Sequence, residues 1–79
     1  MNILEKIKDE EYYTIRDIFK ERFFFWYKDY GSIRRSVLRD MEGKNILKPI
    51  LIPNRKRNFY KIKGENIKKY ITEVAHGNI

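Results

Sequence analysis

Cysteine is missing from the 79 residues, so no disulfide staples the fold and no thiolate can hold a metal. Glycine occurs four times and proline twice, at Pro49 and Pro53, which leaves no room for a linker, a low-complexity tract or a glycine-rich phosphate loop. The longest apolar run, "FFFWY" at 23–27, falls far short of the roughly 20 residues that cross a bilayer as a helix. The opening "MNILEKIKDEE" turns acidic within a few residues, unlike a secretory leader. Histidine appears once, as His76, where it reads as a charge partner for a helix end rather than as a base or ligand. Asp9, Glu10 and Glu11 adjoin in a segment that nothing preorganises, and no nucleophile–base pair is present. The expectation is a soluble cytoplasmic protein that is not an enzyme and takes neither cofactor nor metal.

Rings and positive charge are what the chain has in quantity. A chain this short buries only roughly 60 to 65% of the surface its unfolded form exposes, so its core must use large side chains. Six Tyr, five Phe and one Trp meet that need. Hydrophobic residues at 42% are enough to offset chain entropy, which places the sequence among globular rather than disordered chains. We expect one domain over 1–79, with 1–11 flexible or forming a short extra helix around Ile3, Leu4 and Ile7. The net charge of +7 is one-sided: residues 1–31 carry six basic and seven acidic side chains, residues 32–79 twelve basic and four acidic. Such a field attracts a polyanion, with nucleic acid the first partner to consider and an anionic membrane surface a weaker one.

Periodicity divides the chain into elements. Thr14 followed by Asp17 is a helix start, and stepping about 100° per residue puts Ile15, Ile18, Phe19, Phe23, Phe25 and Trp26 in one arc of about 160°. A helix running through "FFFW" sends Phe24 to the opposite side and leaves Arg22 inside the apolar arc, where it must snorkel. Phe24 then either covers Ile3, Leu4 and Ile7 or meets another protein; burial against the same core as Phe23 would mean that a helix through "FFFW" is wrong. Asp29 or Ser32 caps a second helix that ends at Gly43 in the left-handed position, with Ile33, Val37, Leu38 and Met41 inward and Arg35, Ser36, Arg39 and Asp40 outward. "ILKPILI" and "FYKIK" flank "PNRKRN", a hairpin whose first strand is an edge because of Pro49, and whose second strand turns Tyr60 and Ile62 inward. The final "GENIKKYITEVAH" is a helix with Ile67, Tyr70, Ile71, Val74 and Ala75 on one face.

Helix, turn, arginine-bearing helix, basic hairpin and closing helix make an α+β, mainly helical winged helix-turn-helix. "YYTIRDIF", "SIRRSVLRDMEGKNIL" and "NFYKIKGENIKKYI", in that order and spacing, resemble the DNA-binding domain of the excisionase and MerR-like group over roughly residues 12 to 74. The stretch from Thr14 to Ser32 is about four residues longer than the family pattern, and Ile18 and Phe19 stand where the family often has small residues. The resemblance implies a small protein of a phage or mobile element that binds and bends double-stranded DNA. Such proteins steer an integrase or repress a promoter, often as several copies along the DNA.

Arg35 and Arg39, one turn apart on the second helix, are candidates to read guanine edges in the major groove or to clamp phosphates. Ser36 lies beside them on the same predicted face. Ser32 and Arg34 near the helix start suit phosphate oxygens, as does Tyr30. Arg55, Lys56 and Arg57 at the hairpin tip, in a stretch with no acid between Glu42 and Glu65, suit backbone or minor groove. Lys44 joins the electrostatic footprint, and Lys48, Lys61 and Lys63 are weaker members of it. A different class of function, a protein-interaction module such as an inhibitor or assembly factor, would use Phe24 and the apolar face of residues 3–7 as anchors. An RNA binder or base-stacking platform would need several rings facing water.

Overall fold

Thr14 caps a helix as the sequence requires. In the computed structural model, which describes residues 3–56 and 59–74, its hydroxyl accepts the Asp17 amide at 3.1 Å and its own amide donates to Asp17 Oδ2 at 3.0 Å. This reciprocal capping box satisfies two of the donors that every helix start leaves open. The elements in chain order are α1 (Ile3–Lys6), β1 (Tyr12–Thr14), α2 (Ile15–Lys20), α3 (Tyr30–Glu42), β2 (Ile50–Ile52), β3 (Phe59–Lys63) and α4 (Gly64–Val74).

Helix α2 does not run on through the rings. It stops after six residues because Arg22 adopts a left-handed φ of 56°. The Arg22 amide donates to the Phe19 carbonyl at 3.2 Å and the Phe23 amide to the Ile18 carbonyl at 3.1 Å, which together make a Schellman cap. The apolar contact that accompanies this cap is present, since Ile18 and Phe23 both belong to the buried core. Glycine is the usual occupant of such a position, and an arginine there hides the stop from sequence reading.

Released from the helix, the rings take different directions from those expected. Phe23 is buried and meets Tyr13 edge-on at 5.2 Å. Phe24, expected on the outer side, is only 1% exposed and stacks between Trp26 at 5.2 Å and Tyr70 at 5.0 Å. Phe19 and Phe25, expected inward, are exposed, and Arg22 faces solvent rather than snorkelling through an apolar arc. Trp26 and Tyr27 pack against the core from the loop.

Helix α3 is capped by Asp29, which accepts the Ser32 amide at 3.1 Å and the Ser32 hydroxyl at 2.7 Å. Its far end departs from expectation: Gly43 has φ −104°, and the left-handed residues are Asn45 and Lys48 instead. The Asp40 carboxylate organises that turn by accepting the amides of Ile46 and Leu47 at 3.1 and 2.9 Å. The turn delivers Leu47 into the core with no exposed surface. The buried face of α3 is Ile33, Ser36 and Val37, so the helix is rotated from the predicted stripe. Leu38 and Met41 are only half-buried and pack outside the main core cluster.

The sheet is antiparallel in the order β1-β3-β2, with Tyr13 opposite Ile62 and Leu51 opposite Tyr60. β2 is an edge, as Pro49 suggests, and Ile62 is fully buried while Tyr60 packs against the core. Strand β1 was not anticipated, because "YYT" is too short for alternation to register before the helix cap. In α4, Ile67, Tyr70 and Ile71 are buried and Val74 packs against them; Ala75 and His76 lie outside the described residues.

The N-terminal segment is tied down rather than loose. The Gly64 amide donates to the Glu11 carbonyl at 2.8 Å and the Glu65 amide to the Asp9 carbonyl at 3.3 Å, while Ile7 is 1% exposed. A Cβ on Gly64 would lie 1.9 Å from the Lys8 carbonyl oxygen, so the close approach of two backbones excludes any side chain there. Among the described residues no helix is long and apolar enough to cross a membrane.

Three substitution tests follow from this architecture. Arg22→Gly should raise stability by about 0.5–1 kcal/mol, since it relieves the left-handed strain; inside a continuous helix the same change would cost about 1 kcal/mol. Chemical denaturation gives the sign. Phe24→Ala should cost about 3–5 kcal/mol, the range for emptying a buried aromatic site. In the same assay Gly64→Ala should cost about 2 kcal/mol or more, because the clash is with main chain that cannot swing aside.

Candidate nucleic-acid interface

The rotation of α3 decides which side chains it offers to solvent. With Ile33, Ser36 and Val37 inward, stepping 100° per residue puts Gly31, Arg35, Leu38 and Glu42 on the opposite row, with Arg34 on one flank and Arg39 on the other. Arg34, Arg35 and Arg39 are all exposed. Arg35 Nη2 donates to the Ser32 hydroxyl at 3.4 Å, which leans its guanidinium toward the start of the helix. Lys44 follows in the turn after α3 and is exposed, as are Arg55 and Lys56 beyond β2. Arg57 lies outside the described residues.

Two residues expected at the surface are not there. Ser36 is only 5% exposed, and its hydroxyl is hydrogen-bonded to the Tyr70 hydroxyl at 2.9 Å, joining α3 to α4. It is a core contact and reaches no ligand. Burial holds the Tyr70 phenol above its ordinary value, against the opposing effect of the Ser36 hydrogen bond. Phe24 is sealed in the core, and Ile7 with it, while Ile3 and Leu4 pack against that core. The anchors proposed for a protein-interaction surface are therefore occupied within the molecule.

Ser32 keeps its place at the helix start, yet its hydroxyl already donates to Asp29 and is partly withdrawn from solvent. The Ser32 side-chain hydrogen bond, then its backbone amide, holds the Asp29 carboxyl below its ordinary range, with Arg35 adding a smaller attraction. Tyr30 is 40% exposed and meets Phe19 edge-on at 6.0 Å, so its ring is propped while its surface stays open.

Ion pairing separates the cations into two groups. Among the described residues the salt bridges link Lys63 to Glu10 and Glu65, at 3.8 and 3.4 Å, and Lys68 to Asp9 at 2.8 Å. The Lys63 ammonium, hydrogen-bonded by Glu65 and beside Glu10, is held above its ordinary value. It braces the N-terminal segment and is a poor member of any footprint. Arg34, Arg35, Arg39, Lys44, Arg55 and Lys56 take part in none of these pairs.

Sequence reasoning missed Arg16. It lines a cleft of about 460 Å³ together with Tyr30 and Arg34 of α3 and Asn54, Phe59 and Tyr60 of the hairpin. Nothing in the sequence brings positions 16, 34 and 54 together; the sheet does so by pairing β1, which leads into α2, with β3. Among the described residues no group of three or more His, Asp or Glu side chains is arranged to hold a metal ion. Comparison with protein-family models, curated proteins and solved structures finds no match to this chain.

The Asp29 cap generates a pH prediction. A carboxyl whose folded pKa is depressed contributes stability above its unfolded value of about 3.8, and that contribution is lost as pH falls through the lower folded value. Asp29→Ala should therefore be less stable than the wild type at neutral pH. The difference between them should shrink as acid takes the solution below about 3.8, read by thermal melts across the acid range.

Proposed function

We propose that this chain binds double-stranded DNA as a small winged helix-turn-helix, with α3 in the major groove and the β2–β3 hairpin as the wing. The observation that carries this reading is the line of exposed cations on the outward side of α3, Arg34, Arg35 and Arg39, flanked by Lys44 and by Arg55 and Lys56 at the hairpin, none of which enters a salt bridge among the described residues. A helix with its side chains is about 10–12 Å across and the groove about 12 Å wide, so α3 can enter. The order β1, α2, α3, β2, β3, α4 supports the winged arrangement, because the hairpin follows the arginine-bearing helix directly.

Arg35 sits at the centre of the outward face and is the candidate for bidentate reading of guanine. Leu38 lies one turn along the same row, and its apolar side chain suits the methyl group of thymine. Arg34 and Tyr30 are phosphate contacts, and Arg55 and Lys56 hold the flanking backbone or minor groove. Ser36 and Phe24 have no part in binding. The biological role that accords best with the resemblance to excisionases is that of a mobile-element protein acting beside an integrase or at a promoter.

A fluorescence titration of a labelled duplex against salt tests the reading. If about five groups neutralise phosphates, log K should fall against log salt with a slope near −4 to −5, and a slope near zero would sink it. Arg35→Ala should relax sequence preference at a cost of about 1–3 kcal/mol, whereas Lys56→Ala should weaken all sequences alike. A single-stranded RNA that outcompetes the duplex would move the function to a different class of ligand.

A further inference from the structure

Three clefts among the described residues differ in the sign of their walls. One, of about 230 Å³, places Arg39 and Lys44 against Asp40 and Glu73. Another, of about 380 Å³, places Lys6 and Lys8 against Glu11, Asp17 and Glu21. In the first the charges balance and in the second the carboxylates outnumber the cations. The cleft between α2, α3 and the hairpin is different: Arg16 and Arg34 line it and no carboxylate does.

Two like charges from separate helices, facing one recess without a counterion from the protein, repel each other and call for an anion. The rest of the wall is suited to more than an isolated anion. Tyr30, Phe59 and Tyr60 offer rings, and Asn54 offers an amide that can both donate and accept. A nucleic-acid strand presents that combination, an anionic phosphate followed by the less polar face of a sugar. Phe59 and Tyr60 are half-buried rather than sealed, so their rings remain available at the wall.

We propose that this cleft is a seat for the sugar-phosphate backbone of one strand. Arg16 and Arg34 grip its phosphates from two helices, and Tyr30, Phe59 and Tyr60 line the sugar's path. The proposal rests on the DNA-binding reading above and adds to it a positioning residue, Arg16, outside both the arginine-bearing helix and the wing. Its consequence is geometric. The strand is held at the base of α3 and against the hairpin at once, and this fixes how far α3 enters the groove.

The test uses a labelled pool of random-sequence duplexes titrated at several salt concentrations. It compares the wild type with Arg16→Ala, Arg16→Ala combined with Arg34→Ala, and Lys20→Ala. Lys20 is an exposed cation of the same helix that does not line the cleft, so its removal controls for net charge alone. Arg16→Ala should make the salt slope shallower by about 0.9 and the double variant by about 1.8, while Lys20→Ala leaves it unchanged. Sequence preference, read by sequencing the bound pool, should be the same for Arg16→Ala and wild type. Equal effects of Arg16→Ala and Lys20→Ala would overturn the seat while leaving DNA binding intact. Loss of free deoxyadenosine monophosphate binding in Arg16→Ala, with the duplex slope unchanged, would overturn it in favour of a small-molecule site. A wild type that binds no duplex would overturn both readings, and the first titration separates that outcome from the others.

Discussion

Because Arg22 turns the chain out of α2 after six residues, the five rings that follow are laid along a loop instead of being wound round a helix. A helix would separate Phe23 and Phe24 by about 100° and force one of them outward. A loop lets both enter the core, where Phe23 meets Tyr13 and Phe24 meets Tyr70. Tyr70 in turn holds Ser36 through a buried hydrogen bond between their hydroxyls. The sequence of contacts from Phe24 to Tyr70 to Ser36 therefore links the loop, α4 and α3, and it sets the rotation of α3 about its own axis. The outward row of Arg35 and Leu38 is a consequence of that rotation. A local backbone choice near residue 22 thus determines which side chains the protein presents more than a dozen residues later.

Much of the architecture is legible in the sequence because it rests on signals with a short range. The Thr14 capping box, the Asp29 cap, the edge character that Pro49 gives β2 and the apolar face of α4 all come from residues within a turn or two of one another. What escapes is non-local. Arg22 carries no mark of a left-handed residue, so periodicity continues the helix past it and assigns Phe24 and Phe25 to the wrong sides. Ser36 reads as a surface residue until Tyr70, far along the chain, supplies the partner that makes its burial affordable. Leu38 and Met41 read as core because they are apolar, although the core already has its α3 face in Ile33, Ser36 and Val37.

The candidate site follows the same division. The arginines of α3 and the basic hairpin were visible as charge, and four of the expected side chains on α3, Tyr30, Arg34, Arg35 and Arg39, remain exposed. Charge alone does not say which cations are engaged within the protein, and here geometry sorts them. Asp9, Glu10 and Glu65 take up Lys63 and Lys68, and in doing so they hold the N-terminal segment against the start of α4. The acids of the first third of the chain are directed at bracing the fold. Arg34, Arg35, Arg39, Lys44, Arg55 and Lys56 enter none of these pairs, so the positive charge of the second part of the chain is not taken up by the acids of the N-terminal segment.

Close backbone approach at Gly64 gives the bracing of the N-terminal segment its rigidity. The main chain of Lys8 comes so near Gly64 that no side chain fits, and the amides of Gly64 and Glu65 donate to Glu11 and Asp9 across the contact. Exposed ion pairs by themselves contribute little, since water and salt compete for both partners. Here the backbone bonds hold the acids beside Lys63 and Lys68 whether or not the ion pairs form, so added salt can screen the pairs without releasing the segment. The N-terminal segment is thus held to the start of α4 by main-chain geometry and not by charge alone.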